Sequence, residues 1–327
     1  MNPIKKELKW WANKLFFRSY RYKRIERRHL LPQYSADAAP SVSKGKMVVV
    51  MYDGKRNHGG LADRLRGAIY FYALCRETDR RFRLNFIFPF KLETYLIPNT
   101  YDWRLKPGEL TFNISEARPV FTDTIGITGP REIKWEKNYA SKKLRSNTKQ
   151  LHVYSPFVCA DEDFSRYFHD LFRPSPLLED ALRPYREMLG ENYISISTRF
   201  MELLGDFHEP KAKFKLAPRE QEALIDKCLR KVLEIHQQNP GKRVLVTSDS
   251  SRFLAACSAL PWVYIVDGEI AHSDTADTDN HLKTFLDFWL ISEATTVYQI
   301  KTGRMYAGNF SYRAANAGNK EFHLIEF

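Results

Sequence analysis

The chain has 327 residues, 43% hydrophobic and 14% aromatic, enough for sizeable cores in one large or two medium domains. No run of about 18 consecutive apolar residues occurs, so nothing in the sequence reads as a bilayer-spanning helix. No apolar run followed by a small-residue cleavage site marks a secretory signal either. Net charge is +12, but ten Lys/Arg against two Glu fall in residues 1–34, so eight of those charges sit in a leader. A nucleic-acid reader would carry its charge on the folded body as well, so nucleic acid is not the expected partner. The four cysteines (Cys75, Cys159, Cys228, Cys257) are scattered without a CxxC pair. That usage reads as reduced thiols in a cytosolic protein, with no metal site expected.

Within the leader, Ile4, Leu8, Trp11, Leu15, Tyr22 and Ile25 recur at spacings of three and four, with Arg18 at the one missing step. Trp10, Phe16 and Phe17 widen the stripe, and cations fill the other faces. An amphipathic basic helix of this kind suits an anionic membrane surface, which would make residues 1–34 a membrane contact and the protein peripheral on the inner face of the cell membrane. The same pattern fits a helix docked on its own protein, or an arm for nucleic acid or another partner. Residues 35–46, rich in Ala, Pro and Ser, read as a linker.

Met47–Met51 is a short apolar run with the composition of a buried parallel strand, followed by a loop and a helix over 61–77. Strands are expected near 84–88 and 151–154, while 95–145 follows no clean period and is where acceptor specificity is expected. The C-terminal half alternates cleanly: strand 193–198, helix 217–238, strand 243–247, helix 250–257, strand 262–266, helix 280–294, strand 296–300, helix 304–317, strand 321–326. Such alternation predicts a parallel sheet covered on both faces, with ligands beyond the carboxyl ends of its strands.

Four strand–loop joints carry residues suited to phosphates. His58, Gly59, Gly60, Leu61, Ala62, Asp63 and Arg64 form a glycine-bearing strand–helix turn, where a helix start offers N–H groups to an anion. The turn has neither the GxGxxG spacing nor a Walker lysine, and Asp63 could simply favour the helix dipole. Arg199 follows the strand ending at Thr198, well placed to fork onto a diphosphate, with Asp206 shortly after; an Arg199–Asp206 surface pair is the alternative. Ser248, Asp249 and Ser250 follow the next strand and could hold ribose or phosphate, or cap the next helix. Residues 301–313, with Gly303, Gly308, Asn309, Phe310 and Ser311, make a further anion cradle at a helix start. Asp161-Glu162-Asp163 and Asp277-Thr278-Asp279 have DxD spacing but read more simply as a helix start and a solvated acidic loop.

Taken in order over 47–327, these segments resemble the inverting GDP-fucose-dependent fucosyltransferases, in a bacterial surface-polysaccharide branch. Gly59-Gly60-Leu61-Ala62-Asp63-Arg64 is similar to that family's GG-L-G-N-Q motif. Thr198-Arg199 with Gly205-Asp206 is similar to its H-x-R-x-G-D segment, and Ser248-Asp249 to its S/T-D-D/E segment. Asp287–Glu293 and Asn309-Phe310-Ser311 are similar to its closing region. Ser197 stands where the motif has histidine, an insertion separates Arg199 from Gly205, and Asp63 stands where Asn is usual. The resemblance implies an α/β, GT-B-like fold of two Rossmann-like domains facing a cleft: leader and linker 1–46, acceptor domain 47–185, nucleotide-sugar domain 186–327. It implies inverting, metal-independent transfer from a GDP-sugar, GDP-fucose first, to a glycan or lipid-linked glycan, with no cofactor. Arg199 would hold the diphosphate, Ser311 and nearby N–H groups would support it, and Asp249 would position the nucleotide. Asp63, His58 and His208 are alternatives for orienting or deprotonating the acceptor. Transfer from another nucleotide sugar, or a non-catalytic carbohydrate- or nucleotide-binding role on the same fold, would fit the same residues.

Overall fold

The computed structural model describes residues 3–56, 58–123, 129–155, 163–206, 214–268 and 281–327, with side chains from Lys14 onward. Contacts divide the chain into two units: Met1–Gly59, Asp63–Lys91 and Pro98–Ala160; and Gly60–Ala62, Leu92–Ile97 and Asp161–Phe327.

The elements of the first half are α1 (Pro3–Ile25), β1 (Met47–Tyr52), α2 (Leu61–Arg76), β2 (Arg81–Phe86), β3 (Leu96–Pro98), β4 (Ala117–Phe121), α3 (Pro130–Leu144) and β5 (Gln150–Tyr154). Four strands form a parallel sheet in the order β2-β1-β5-β4. All six residues of β1 are buried, as an apolar strand covered on both faces requires. β4 and α3 lie in the stretch that showed no readable period, for two physical reasons. β4 carries Pro119, which an edge strand tolerates because its missing N–H leaves no gap in an interior ladder. α3 turns Glu132, Glu136, Ala140 and Leu144 inward at a spacing of four, so its buried stripe is half carboxylate and invisible to a hydrophobicity count.

Those carboxylates are buried against the leader. Lys14 Nζ lies 2.6 Å from Glu132, and Tyr22 Oη donates to Glu136 at 2.8 Å. The Arg18 guanidinium stands 3.8 Å from both Asp123 and Glu136 and donates to the Asp123 carbonyl. Tyr22 is fully buried in a cluster with Met47, Val49, Phe121 and Tyr154. The inner face of α1 from Lys14 onward is thus docked on its own unit, and Arg18, the gap in the apolar stripe, is an inward-facing cation. Residues 35–46 are no free linker. Ser35 N–H donates to Phe112 O, Val42 N–H to Gly108 O, and the Asn113 amide to the carbonyls of Ala36 and Ala38.

The second half holds α4 (Phe164–Leu171), β6 (Phe172–Pro174), α5 (Pro176–Leu189), β7 (Tyr193–Ser197), α6 (Pro218–Gln238), β8 (Arg243–Thr247), α7 (Ser251–Ser258), β9 (Val263–Tyr264), α8 (His281–Glu293), β10 (Thr296–Lys301), α9 (Phe310–Ala317) and β11 (Glu321–Glu326). Its five-stranded parallel sheet runs β11-β10-β7-β8-β9. Ile194, Ile196, Val244, Val246 and Ile300 of the strands pack with Cys228 and Val232 of α6 and Phe253 of α7. α4, which precedes the sequence boundary at 185, and α5, which crosses it, pack against α9 and α8 of this unit. The helix expected from 304 begins at 310, because Gly303 takes a left-handed turn (φ +55) and the chain stays non-helical to Asn309. Among the described residues no helix is long and apolar enough to cross a membrane.

Burial of the Glu136 carboxyl beside the leader pushes it up to about 7, against the lowering effect of Tyr22 and Arg18. A carboxyl raised in the folded state stabilises below its unfolded pKa and loses that contribution as pH rises through the folded value. The melting temperature should therefore fall between about pH 5 and 8 more steeply in the native protein than in Glu136→Gln, measured by thermal denaturation across that range.

Candidate functional site

Each sheet has one place where the strand order reverses, and in parallel α/β sheets ligands bind beyond the carboxyl ends of the strands there. In the second unit the chain moves outward from β7 through β8 to β9, then returns to β10 on the other side of β7. Arg199 leaves the end of β7, and residues 302–309 leave the end of β10. The two segments meet. Tyr306 N–H donates to the Arg199 carbonyl at 3.1 Å, and a Cβ placed on Gly308 would stand 3.2 Å from Arg199 Cδ. The guanidinium lies 5.9 Å from the Tyr306 ring. Gln299 of β10 donates to the Gly308 carbonyl at 3.1 Å, which ties the loop to the sheet. α9 then begins beside it, and its first-turn N–H groups have no intrahelical acceptor. Ser311, in that first turn, is 1% exposed and its hydroxyl has no hydrogen-bond partner among the described residues. A half-buried guanidinium beside a helix start forms a cradle of the kind suited to an anion.

The other predicted residues of this unit hold the cradle in shape. Asp249 accepts the N–H groups of Phe200 at 2.7 Å and Met201 at 2.8 Å, so its carboxylate anchors the turn that carries Arg199. Burial raises its pKa, against the two backbone donors and Arg199, which favour the ionised form. Asp206 makes no pair with Arg199. One of its oxygens takes Ser250 Oγ at 2.7 Å and Arg252 N–H at 3.0 Å, and Ser250 in turn caps α7 by accepting Phe253 N–H. Ser248 accepts from Thr198 Oγ1 at 2.8 Å, and Ser197 bonds to Thr247 at the same distance, a hydroxyl seam between β7 and β8. Phe310 packs its ring edge-on against Phe288 of α8, which seats α9, and Asn309 is its exposed N-cap.

In the first unit the reversal falls between β1 and β5. Gly59 takes φ +69, and a Cβ there would stand 3.0 Å from the Asp63 carboxylate, so the turn requires glycine. Gly60 follows it directly before α2. Asp63 has a side chain 36% exposed and an ion pair with Arg66 at 2.8 Å. Two expectations change here. Arg64, predicted to touch substrate, is 1% exposed and donates to the carbonyls of Gly59 at 2.9 Å and Phe88 at 2.6 Å, so it shapes the glycine turn from within. His58, one choice for proton acceptor, is 2% exposed, takes Gly54 N–H at 3.1 Å and lies edge-on to Tyr52; it braces the loop. His208, Asp161, Glu162, Asp277 and Asp279 lie outside the described residues, as does Cys159. Among the described residues no cluster of potential ligands could hold a metal.

The sequence patterns singled out neither Gln299 nor Asp53. A glutamine in an otherwise apolar strand was a signal, since a buried amide needs partners. Asp53 accepts from Lys55 N–H at 3.0 Å and Tyr154 Oη at 3.1 Å, joining the ends of β1 and β5.

Solved fucosyltransferases share this architecture. NodZ from Bradyrhizobium matches with a TM-score of 0.56 at 15% identity, over 87% of this chain and 95% of that one. NodZ α-1,6-fucosyltransferase soaked with GDP-fucose gives 0.55 at 15%, over 83% and 92%. A mutant of FUT1 from Arabidopsis thaliana in complex with GDP gives 0.54 at 13%, over 95% and 79%. No family model matches the chain, and no curated protein matches it in sequence. At such low identity the likeness establishes the fold, two parallel α/β units of the GT-B type, as the sequence motifs implied.

Proposed function

We propose that the protein is a glycosyltransferase of fucosyltransferase type, moving a sugar from a GDP-sugar to a glycan acceptor in surface polysaccharide or lipopolysaccharide synthesis, with inversion and without a metal. The observation that carries this reading is the meeting of Arg199 with the Gly308 loop and the start of α9 at the strand reversal. A fixed cation and a set of N–H groups in one place favour the charge that grows on a nucleoside diphosphate as the bond to the sugar breaks. They supply what a divalent ion would otherwise supply, which supports a metal-free reaction. Asp249 accepts two backbone N–H groups and Asp206 accepts one, so we assign neither as a nucleophile for a covalent intermediate. Direct attack by the acceptor hydroxyl, with inversion, is the course this reading assigns. Asp63, the exposed carboxyl of the glycine turn, is the group assigned to orient that hydroxyl and accept its proton. That the nucleotide is GDP rests on the likeness to NodZ and FUT1, whose structures hold GDP-fucose or GDP.

Titration calorimetry with GDP, UDP and CMP tests the donor. GDP should bind, and Arg199→Ala should weaken it about 10- to 100-fold, the value of charge-assisted bonds to a phosphate. Binding to UDP alone would replace the donor, and no nucleotide binding would end the reading. Asp249→Asn should lower the melting temperature and weaken GDP about tenfold, because an amide cannot serve two N–H donors as a carboxylate does. Sugar transfer should persist in EDTA; loss of turnover restored by magnesium or manganese would show that a metal takes part.

A further inference from the structure

The leader helix has one face committed and one left over. Arg18 and Tyr22 turn inward, while Phe16, Phe17 and Tyr20 are 67%, 66% and 58% exposed. From 16 to 29 the exposed residues are these three aromatics, Lys23, Arg24, Arg27, Arg28 and His29, so all are aromatic or basic. Phe16, Tyr20, Lys23, Arg24 and Arg27 follow spacings of three and four and share one side. The single acid of the segment, Glu26, is turned away: it accepts Phe121 N–H at 3.0 Å and lies 3.3 Å from Lys143 Nζ. It borders, with its partner Lys143, a cavity of about 360 Å³ whose other charged lining residues, Lys23, Arg27 and Arg118, are all cations.

Cations call for an anionic partner, and three aromatic rings held in water call for a less polar medium. A partner that is negative at its surface and apolar just beneath meets both demands at once. We propose that this outward face docks on an anionic phospholipid bilayer, with Phe16, Phe17 and Tyr20 entering the interface and the cation-lined cavity taking a lipid phosphate. This face shares no residue with the donor site, so the two readings fail separately.

The test is co-sedimentation of the full chain with vesicles of phosphatidylcholine alone and with phosphatidylglycerol added. Binding should require phosphatidylglycerol and weaken as salt rises. The combined change Phe16→Ser, Phe17→Ser and Tyr20→Ser should weaken it about tenfold or more, as should Lys23→Glu with Arg27→Glu. All five side chains are exposed, so melting temperature and GDP binding should not move. Equal binding to phosphatidylcholine, no loss in either variant, or a preference for single-stranded nucleic acid abolished by the same changes would overturn the proposal.

Discussion

The carboxylate of Asp249 takes the N–H groups of Phe200 and Met201, and that anchor decides where the chain goes after β7. Met201 sits at φ +56, a left-handed conformation that a non-glycine residue adopts at a cost unless its surroundings hold it there. With Phe200 fully buried behind it and the carboxylate in front, the turn has one arrangement, and Arg199 leaves it toward the loop after β10. Gln299 fixes that loop from the other strand through the Gly308 carbonyl. The turn and the loop are therefore held by residues that brace their walls, and they bring Arg199, the start of α9 and Ser311 into one place.

The first unit uses the same economy around its own strand reversal. Arg64 and His58 look reactive in the sequence, yet each is engaged in holding a loop, Arg64 by carbonyls and His58 by Gly54 N–H, and Asp53 is likewise held by Tyr154. Asp63 is the exception, half exposed at a turn that only glycine at 59 permits. Burial is what separates bracing groups from reactive ones here, since a polar side chain taken out of water must find partners within the fold.

Charge plays a structural part in the leader as well. Lys14, Arg18 and Tyr22 meet Glu132, Glu136 and Asp123, so a basic segment is paired to an acidic stripe of α3 on one side only. The surplus cations and aromatics are what the opposite side presents.

Much of the second unit was legible in the sequence, because a buried parallel strand must be apolar and a covering helix must be amphipathic. β7, β8, β10, β11 and α6 declare themselves by those periods alone. The glycine turn at 59 and the arginine after β7 were also legible, as residue types that few strand–helix joints need. What the sequence could not determine was which polar residues face each other. α3 hides its buried stripe in glutamates, β4 contains a proline only an edge permits, and α9 starts six residues later than its pattern allows because Gly303 turns the chain. Whether Asp249 touches a ligand or a backbone turn, and whether Arg64 faces substrate or carbonyls, depends on partners nearly fifty residues away in one case and twenty-four in the other. Local composition records the need for a partner; only the packed chain supplies it.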